Sequence, residues 1–217
     1  MTIFRIPTTR INIRYRVTDS GRESIEDQVC QEVAAVLQRY QTGKVIVYGG
    51  TVKRVEELGA MLACPIYHAT VADAAEKSDI IRRWIRSGRV IVATNALGVG
   101  LDVADIRAVI HAGAPRRLRD YAQESGRGGR DRQPSEAVII YPVVRGNASH
   151  NRQNKPVDGM AAFVEGAVCR RLVLGEVMDG RVDGVPCEAD EAACDVCGPG
   201  QPPVSYTHLT LPTILRV

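Results

Sequence analysis

The stretch VIVATNALGVGLDVADIRAVIH, Val90 to His111, sets two short runs of Val, Ile and Ala on either side of a segment carrying Gly98, Gly100 and Asp102. Neither run alternates apolar with polar residues, so each reads as a strand buried on both faces, as in a parallel sheet. Working outward, KVIVYGG (44–50), CPIYHA (64–69) and EAVIIYP (136–142) have the same character. Between them lie helical segments: Ser24 to Tyr40, opened by Ser24 with Glu26 and Asp27 in its first turn; VKRVEELGAML behind the cap residue Thr51; Ala72 to Ser87; and LRDYAQESG. The arginine-rich start, RINIRYRV, reads as extended chain. Five strands, most of them separated by helices, predict an α/β domain whose parallel sheet is covered on both faces. Ligands of such sheets sit beyond the carboxyl ends of the strands. The pattern places YGGT, ATNALGVGLD and YAQESGRGGRDR there.

Composition sets the outer bounds. With 217 residues, 45% of them hydrophobic and 24% charged, the chain suits one domain of ordinary size plus a small appendage. A net charge of +3 permits an anionic partner without demanding one. No signal-like N-terminus or bilayer-length apolar run is present, which predicts a soluble intracellular protein with no membrane partner. Four of the six cysteines, Cys169, Cys187, Cys194 and Cys197, fall late in the chain, where metal is a better first reading than disulfides.

The segment YAQESGRGGRDR (121–132) sets Arg127 and Arg130 three apart behind glycines. A solvated turn explains this, and so does a pair of guanidiniums facing phosphate, which the planar fork binds bidentately. Together with ATNALGVGLD some twenty residues earlier, and with KVIVYGGTVKRVEELGAML, the segment makes the chain resemble the second, RecA-like motor lobe of a superfamily 2 helicase of the RecQ type. The resemblance runs from about Pro7 to Cys197. It implies that Gln123, Arg127 and Arg130 face the nucleotide between two lobes, with Arg130 as an arginine finger, and that Gly100, Asp102, Gly126 and Gly129 shape the cofactor-binding segments. Arg127 bracing Asp131 or Glu124, and Asp102 capping a helix or turn, are the structural alternatives. The chain departs from the family at Leu97, Val99 and Val103. No G-x-x-x-x-G-K-[ST] loop and no strand-end Asp-Glu pair occurs, so the ATP and Mg²⁺ cradle is expected from an N-terminal lobe outside this sequence.

After Pro142 the chain turns polar. Residues 1–142 read as the helicase lobe, 143–157 as a linker, 158–200 as a small helical zinc-binding subdomain and 201–217 as a tail foreign to the rest. The C-x-x-C of Cys194 and Cys197 alone would fit redox chemistry. Four thiolates suffice for a closed tetrahedral zinc site, and the spacing of Cys169, Cys187, Cys194 and Cys197, with CRR and CDVC, resembles the RecQ zinc module. Metal binding is expected to order that module, while the α/β lobe keeps its own core. Arg14, Arg16, Arg116, Arg117 and Arg119 are candidate phosphate contacts. Cys30 and Cys64 read as small buried hydrophobes, and His68 as a packed strand-end histidine. The resemblance implies a 3′-to-5′ DNA helicase acting at single-stranded/duplex junctions in DNA repair and recombination, nuclear in a eukaryote. A catalytically dead, zinc-containing DNA-binding module is the alternative.

Overall fold

The computed structural model describes residues 8–98, 101–142, 159–181 and 184–198. The proposed linker and tail lie outside them. Six strands, β1 (Ile13–Asp19), β2 (Lys44–Tyr48), β3 (Ile66–Tyr67), β4 (Val90–Ala93), β5 (Ile106–Ala112) and β6 (Ser135–Tyr141), form one sheet in the order β1-β6-β5-β2-β4-β3. Every pairing is parallel. The connections supply the helices α1 (Ile25–Arg39), α2 (Val52–Met61), α3 (Ala74–Ser87) and α4 (Leu118–Ser125); α5 (Met160–Glu165) and α6 (Arg170–Asp179) follow. Side-chain caps start three of them: Ser24, Thr51 and Asp73 accept the N–H groups of Asp27, Arg54 and Glu76, each such cap stabilising its helix by about 1 kcal/mol.

The sixth strand is the extended arginine-rich start. Ile13 and Tyr15 are buried, while Arg16 lies along the sheet against Glu136 and Glu32, and Arg39 also reaches Glu136. The Arg16 charge is thus neutralised inside the fold, which makes Arg16 an internal ion-pair partner and not a phosphate contact, while Arg14 is exposed.

Strand alternation sorts the core onto two faces. Val45, Val47, Ala108 and Ile110 pack with Val29, Val33 and Val36 of α1 and with Val55 and Leu58 of α2. Ile46, Tyr48, Ile91 and Val109 face Ile80 and Trp84 of α3. At the other end of that second face, Ile13, Tyr15, Ala137 and Ile139 share one cluster with Leu118 and Tyr121 of α4, with Phe163 and Leu174, and with Cys169 and Cys194.

The cysteine-bearing segment therefore shares its core with the sheet. It also closes the sheet edge. Ala192 N–H donates to the Ile11 carbonyl (2.7 Å), Asp195 N–H to the Tyr15 carbonyl (3.1 Å), and Val17 N–H to Asp195 Oδ2 (2.8 Å). Arg171, almost wholly buried, donates to the carbonyls of Arg10 and Ile13, both at 2.9 Å. An edge strand left bare would template pairing with other chains; here the loop takes that place.

Candidate functional site

Two places at the second face carry the polar groups. The first lies beyond the carboxyl ends of β2, β4 and β5, a cavity of about 580 Å³ bordered by Thr51, Arg54, Asn95, His111, Arg116 and Glu124. YGGT and Thr94–Asn95 fall there, as the pattern requires. His111 lies outside the motifs, and its one signal in the sequence is a histidine inside the apolar run RAVIHAG. Alternation turns it away from α1 and towards α4, where its Nε2 meets Glu124 Oε2 at 2.9 Å. The ring stacks on Tyr48 with centroids 5.2 Å apart and an interplanar angle of 20°, and Nδ1 has no partner. Arg54 spans from Glu26 to the Ala112 carbonyl. Arg116 and Arg117, just before α4, and Arg119, in its first turn, are exposed and have no carboxylate partner among the described residues.

The second place corrects an expectation. YAQESGRGGRDR does not sit wholly at the carboxyl ends. The helix α4 begins there, but the chain then descends, and Gly129 N–H donates to the carbonyl of Ile106, at the amino end of β5 (2.9 Å). The physical reason is the crossover itself: joining β5 to a parallel β6 requires the chain to travel the length of the sheet. Gly129 has φ +56°, and a Cβ there would come within 2.2 Å of Asn12 Nδ2. A Cβ at Gly128 would stand 2.7 Å from Ser135 Oγ, and Gly126 ends α4. The described glycines thus seat the loop against β5 and β6; Gly100 falls outside the described residues.

The two arginines are held by Gly98, Leu101 and Asp102. Arg127 is buried and its Nη2 donates to the Gly98 carbonyl at 2.6 Å, leaving Nε unpartnered. Neither alternative brace forms, because Asp131 is taken by Arg107 and Glu124 by His111. The hydrogen bond from Arg107 holds the Asp131 carboxyl below its usual range. Arg130 Nη1 donates to the Leu101 carbonyl (3.2 Å) and to Asp102 Oδ1 (2.8 Å). Its side chain is 33% exposed and that of Asp102 89%, so this pair sits in water and is weakly held. Gln123, on α4, is exposed. His68 is packed at its strand end, as read, with Nδ1 3.2 Å from Thr70 Oγ1. Cys30 and Cys64 are both only half-buried.

The cysteines converge as a separate centre. The Sγ atoms of Cys169, Cys187, Cys194 and Cys197 all lie within 4.8 Å of one another, and Cys169 is 3.7 Å from Cys187 and 3.8 Å from Cys194. Four sulfurs each about 2.3 Å from a tetrahedral centre stand about 3.8 Å apart, so the donor set fits zinc in size, number and softness. Hydrogen bonds from Cys169 and Cys187 push the Cys194 thiol far down, while bonding within the cluster pushes Cys187 up. The first negative charge is shared and further ones are opposed, a situation that a cation relieves. Among the described residues no carboxylate joins the cluster. Asp195, inside the C-x-x-C, accepts from Arg170 Nε (2.6 Å) and Nη2 (2.8 Å), fixing the loop from behind.

Comparison with known proteins follows the same lines. Residues 26–132 match the helicase conserved C-terminal domain. The chain is 30% identical, over 96% of its length and 34% of the relative's, to the ATP-dependent DNA helicase RecQ of Pasteurella multocida. It is 33% identical, over 72% of its length and 13% of the relative's, to the bifunctional 3′-5′ exonuclease/ATP-dependent helicase WRN of Mus musculus. Among solved structures, domain 2 of the DEAD-box helicase Mss116p bound to an RNA duplex superposes with a TM-score of 0.54 at 17% identity, covering 80% of this chain and 71% of that one. The chain spans about a third of the length of the first curated relatives it matches. Among the described residues no helix is long and apolar enough to cross a membrane.

Proposed function

Since the chain belongs to the RecQ family of superfamily 2 helicases, within the C-terminal part of the helicase region, we propose that it supplies the second motor lobe of an ATP-dependent DNA helicase of 3′-to-5′ polarity. The observation that carries this reading is the placement of Arg130 on an exposed, displaceable partner, Asp102, while its neighbour Arg127 is buried and fixed to Gly98. A transferring phosphoryl group spreads negative charge over its oxygens, and an arginine that can exchange a surface carboxylate for those oxygens lowers the barrier. In this reading Arg130 is the finger, Gln123 an exposed contact to nucleotide, and Arg127 the fixed anchor of the Gly98–Asp102 segment. Gly126 and Gly129 set the loop's path, and release of Asp102 on nucleotide binding passes the signal to Thr94 and Asn95. ATP and Mg²⁺ themselves require an N-terminal lobe with a phosphate-cradling loop.

The cavity at the carboxyl ends takes the DNA backbone at a single-strand/duplex junction, with Arg116, Arg117 and Arg119 meeting phosphate. Cys169, Cys187, Cys194 and Cys197 would hold a zinc ion, whose contribution is structural: it ties α6 and the edge loop to the sheet. A role in repair or recombination, in the nucleus if the source is eukaryotic, follows from the same reading. A catalytically silent, zinc-containing DNA-binding module is the second reading, favoured by the lack of a G-x-x-x-x-G-K-[ST] loop in these 217 residues. In a chain carrying both lobes, Arg130→Ala should lower kcat by roughly 10³-fold with DNA binding retained. A loss under about tenfold would assign Arg130 to structure and leave the binding module.

A further inference from the structure

The sheet edge opposite β1 is open and shaped for a polypeptide. β3 pairs with β4 alone: Val92 N–H donates to the Pro65 carbonyl and Thr94 N–H to the Tyr67 carbonyl, both at 3.0 Å. Alternation along a parallel strand then turns the N–H and C=O of Ile66 to the outer edge, where no described residue bonds them. Against that edge lies a cavity of about 310 Å³, walled by Pro65, Val71, Ile80 and Trp84, with Arg83 on its rim. Trp84 is wholly buried and its Nε1 has no partner. Gly88 keeps the indole's pyrrole side clear, since a Cβ there would stand 3.1 Å from Trp84 Cδ1. On the same helix Arg82 is paired with Asp79, whereas Arg83 and Arg86 are exposed without a carboxylate partner among the described residues.

Three features therefore meet at one place: a free strand edge, an apolar hollow and uncompensated positive charge. A nucleic-acid backbone would use the charge but neither of the others. An extended peptide uses all three, its amides pairing with the strand, one apolar side chain filling the hollow and a carboxylate meeting arginine. We propose that this edge binds an extended, acidic segment of a partner protein, which adds a strand beside β3, seats an apolar residue against Ile66 and Val71 and sets a carboxylate on Arg83. This surface lies at the sheet edge opposite the one the cysteine loop covers, and the proposal does not depend on the helicase reading.

The probe is a short fluorescent peptide alternating aspartate with valine, titrated by anisotropy into the 217-residue chain. Saturable binding is expected, weakened at least about tenfold by Arg83→Glu, a reversal of rim charge. Circular dichroism checks that this exposed substitution leaves the fold intact. A peptide N-methylated at its central residues should also lose at least about tenfold, because it cannot complete the strand ladder; this arm needs no protein variant. Absence of binding, or equal affinity of the N-methylated peptide, would overturn the proposal. So would displacement of the peptide by a single-stranded oligonucleotide whose own binding is equally lost in Arg83→Glu, which would assign the patch to nucleic acid.

Discussion

Replacing Asp195 with alanine should unfold far more than the loop that carries it. Its carboxylate accepts three hydrogen bonds, two from Arg170 at 2.6 and 2.8 Å and one from Val17 N–H at 2.8 Å. Arg170 is 6% exposed, packs 5.4 Å over the Phe163 ring and also donates to the Phe163 carbonyl. Stripping the partner from a buried guanidinium costs about 3–5 kcal/mol, and the loss of the edge bond to β1 adds about 1 kcal/mol. Asp195 is itself 24% exposed and Arg170 keeps one carbonyl, so the lower end, about 3 kcal/mol, is expected. With a urea slope of about 2–3 kcal/mol/M, the midpoint should fall by about 1–1.5 M. The double variant Arg170→Met/Asp195→Ala should cost less than Asp195→Ala alone, since no orphaned charge remains. Trp84, the chain's one tryptophan, lies in α3 on the other end of the sheet face and reports that end by fluorescence; cysteine reactivity reports the loop. Coincident midpoints are expected from the shared core. If the thiols open early while the Trp84 midpoint stays put, the shared core does not transmit stability and the reasoning fails.

Other outcomes follow from single features. Metal analysis after purification without added zinc should give one ion per chain, lost in Cys197→Ser; a C-x-x-C that titrates as a reversible disulfide would replace the metal reading with a redox one. Gly129→Ala should destabilise by about 1–3 kcal/mol, measured by the same urea transition, because φ is +56° and the new methyl meets Asn12; a neutral result would show that the loop relaxes freely. Asp131 titrates lower in the folded state than unfolded, so its contribution is complete above about pH 4 and disappears as pH falls through the folded-state value. Asp131→Asn should therefore lower stability at neutral pH and flatten the acid limb below about pH 4, and an unchanged limb would deny the Arg107 pair any role.

Much of this molecule could be read from its residues because strand and helix periods are strong where both faces are buried. KVIVY, VIVA and AVII admit little besides central strands, and Ser24 and Thr51 mark helix starts by their chemistry. β1 escaped because Arg14 and Arg16 put charge on the face opposite Ile13, Tyr15 and Val17, and only the fold supplies Glu32 and Glu136 to neutralise Arg16. The four cysteines were legible as a set, since spacing and thiol chemistry suffice. What could not be read was their setting: that Asp195 and Arg171 bond the backbone of a strand some 160 to 180 residues away depends on which edge the chain returns to. The descent of the Gly126–Arg130 loop was equally hidden, because motif spacing says nothing about which end of a crossover a residue occupies. His111 and Glu124 are thirteen apart, and their contact needs the β5–α4 packing to exist.

The pairing of β1 with β6, Ile13 beside Ser135, also fixes an order of events during synthesis. Of the described strands, the first made is the last that can be placed. Strands β2, β5 and β4 can begin to associate once residue 112 has emerged, but β1 must wait for β6 on one side and for Asp195 on the other. At about 5–20 residues per second, the interval between making Ile13 and making Asp195 is roughly 10–35 s. Until β6 is made, Ile13, Tyr15 and Val17 have no strand beside them, and from then until Asp195 emerges the outer edge of β1 has no cover. A chain interrupted before the cysteine loop would keep an unguarded edge on β1 at the moment its core closes, and refolding from denaturant should show a slow phase tied to that long-range pairing.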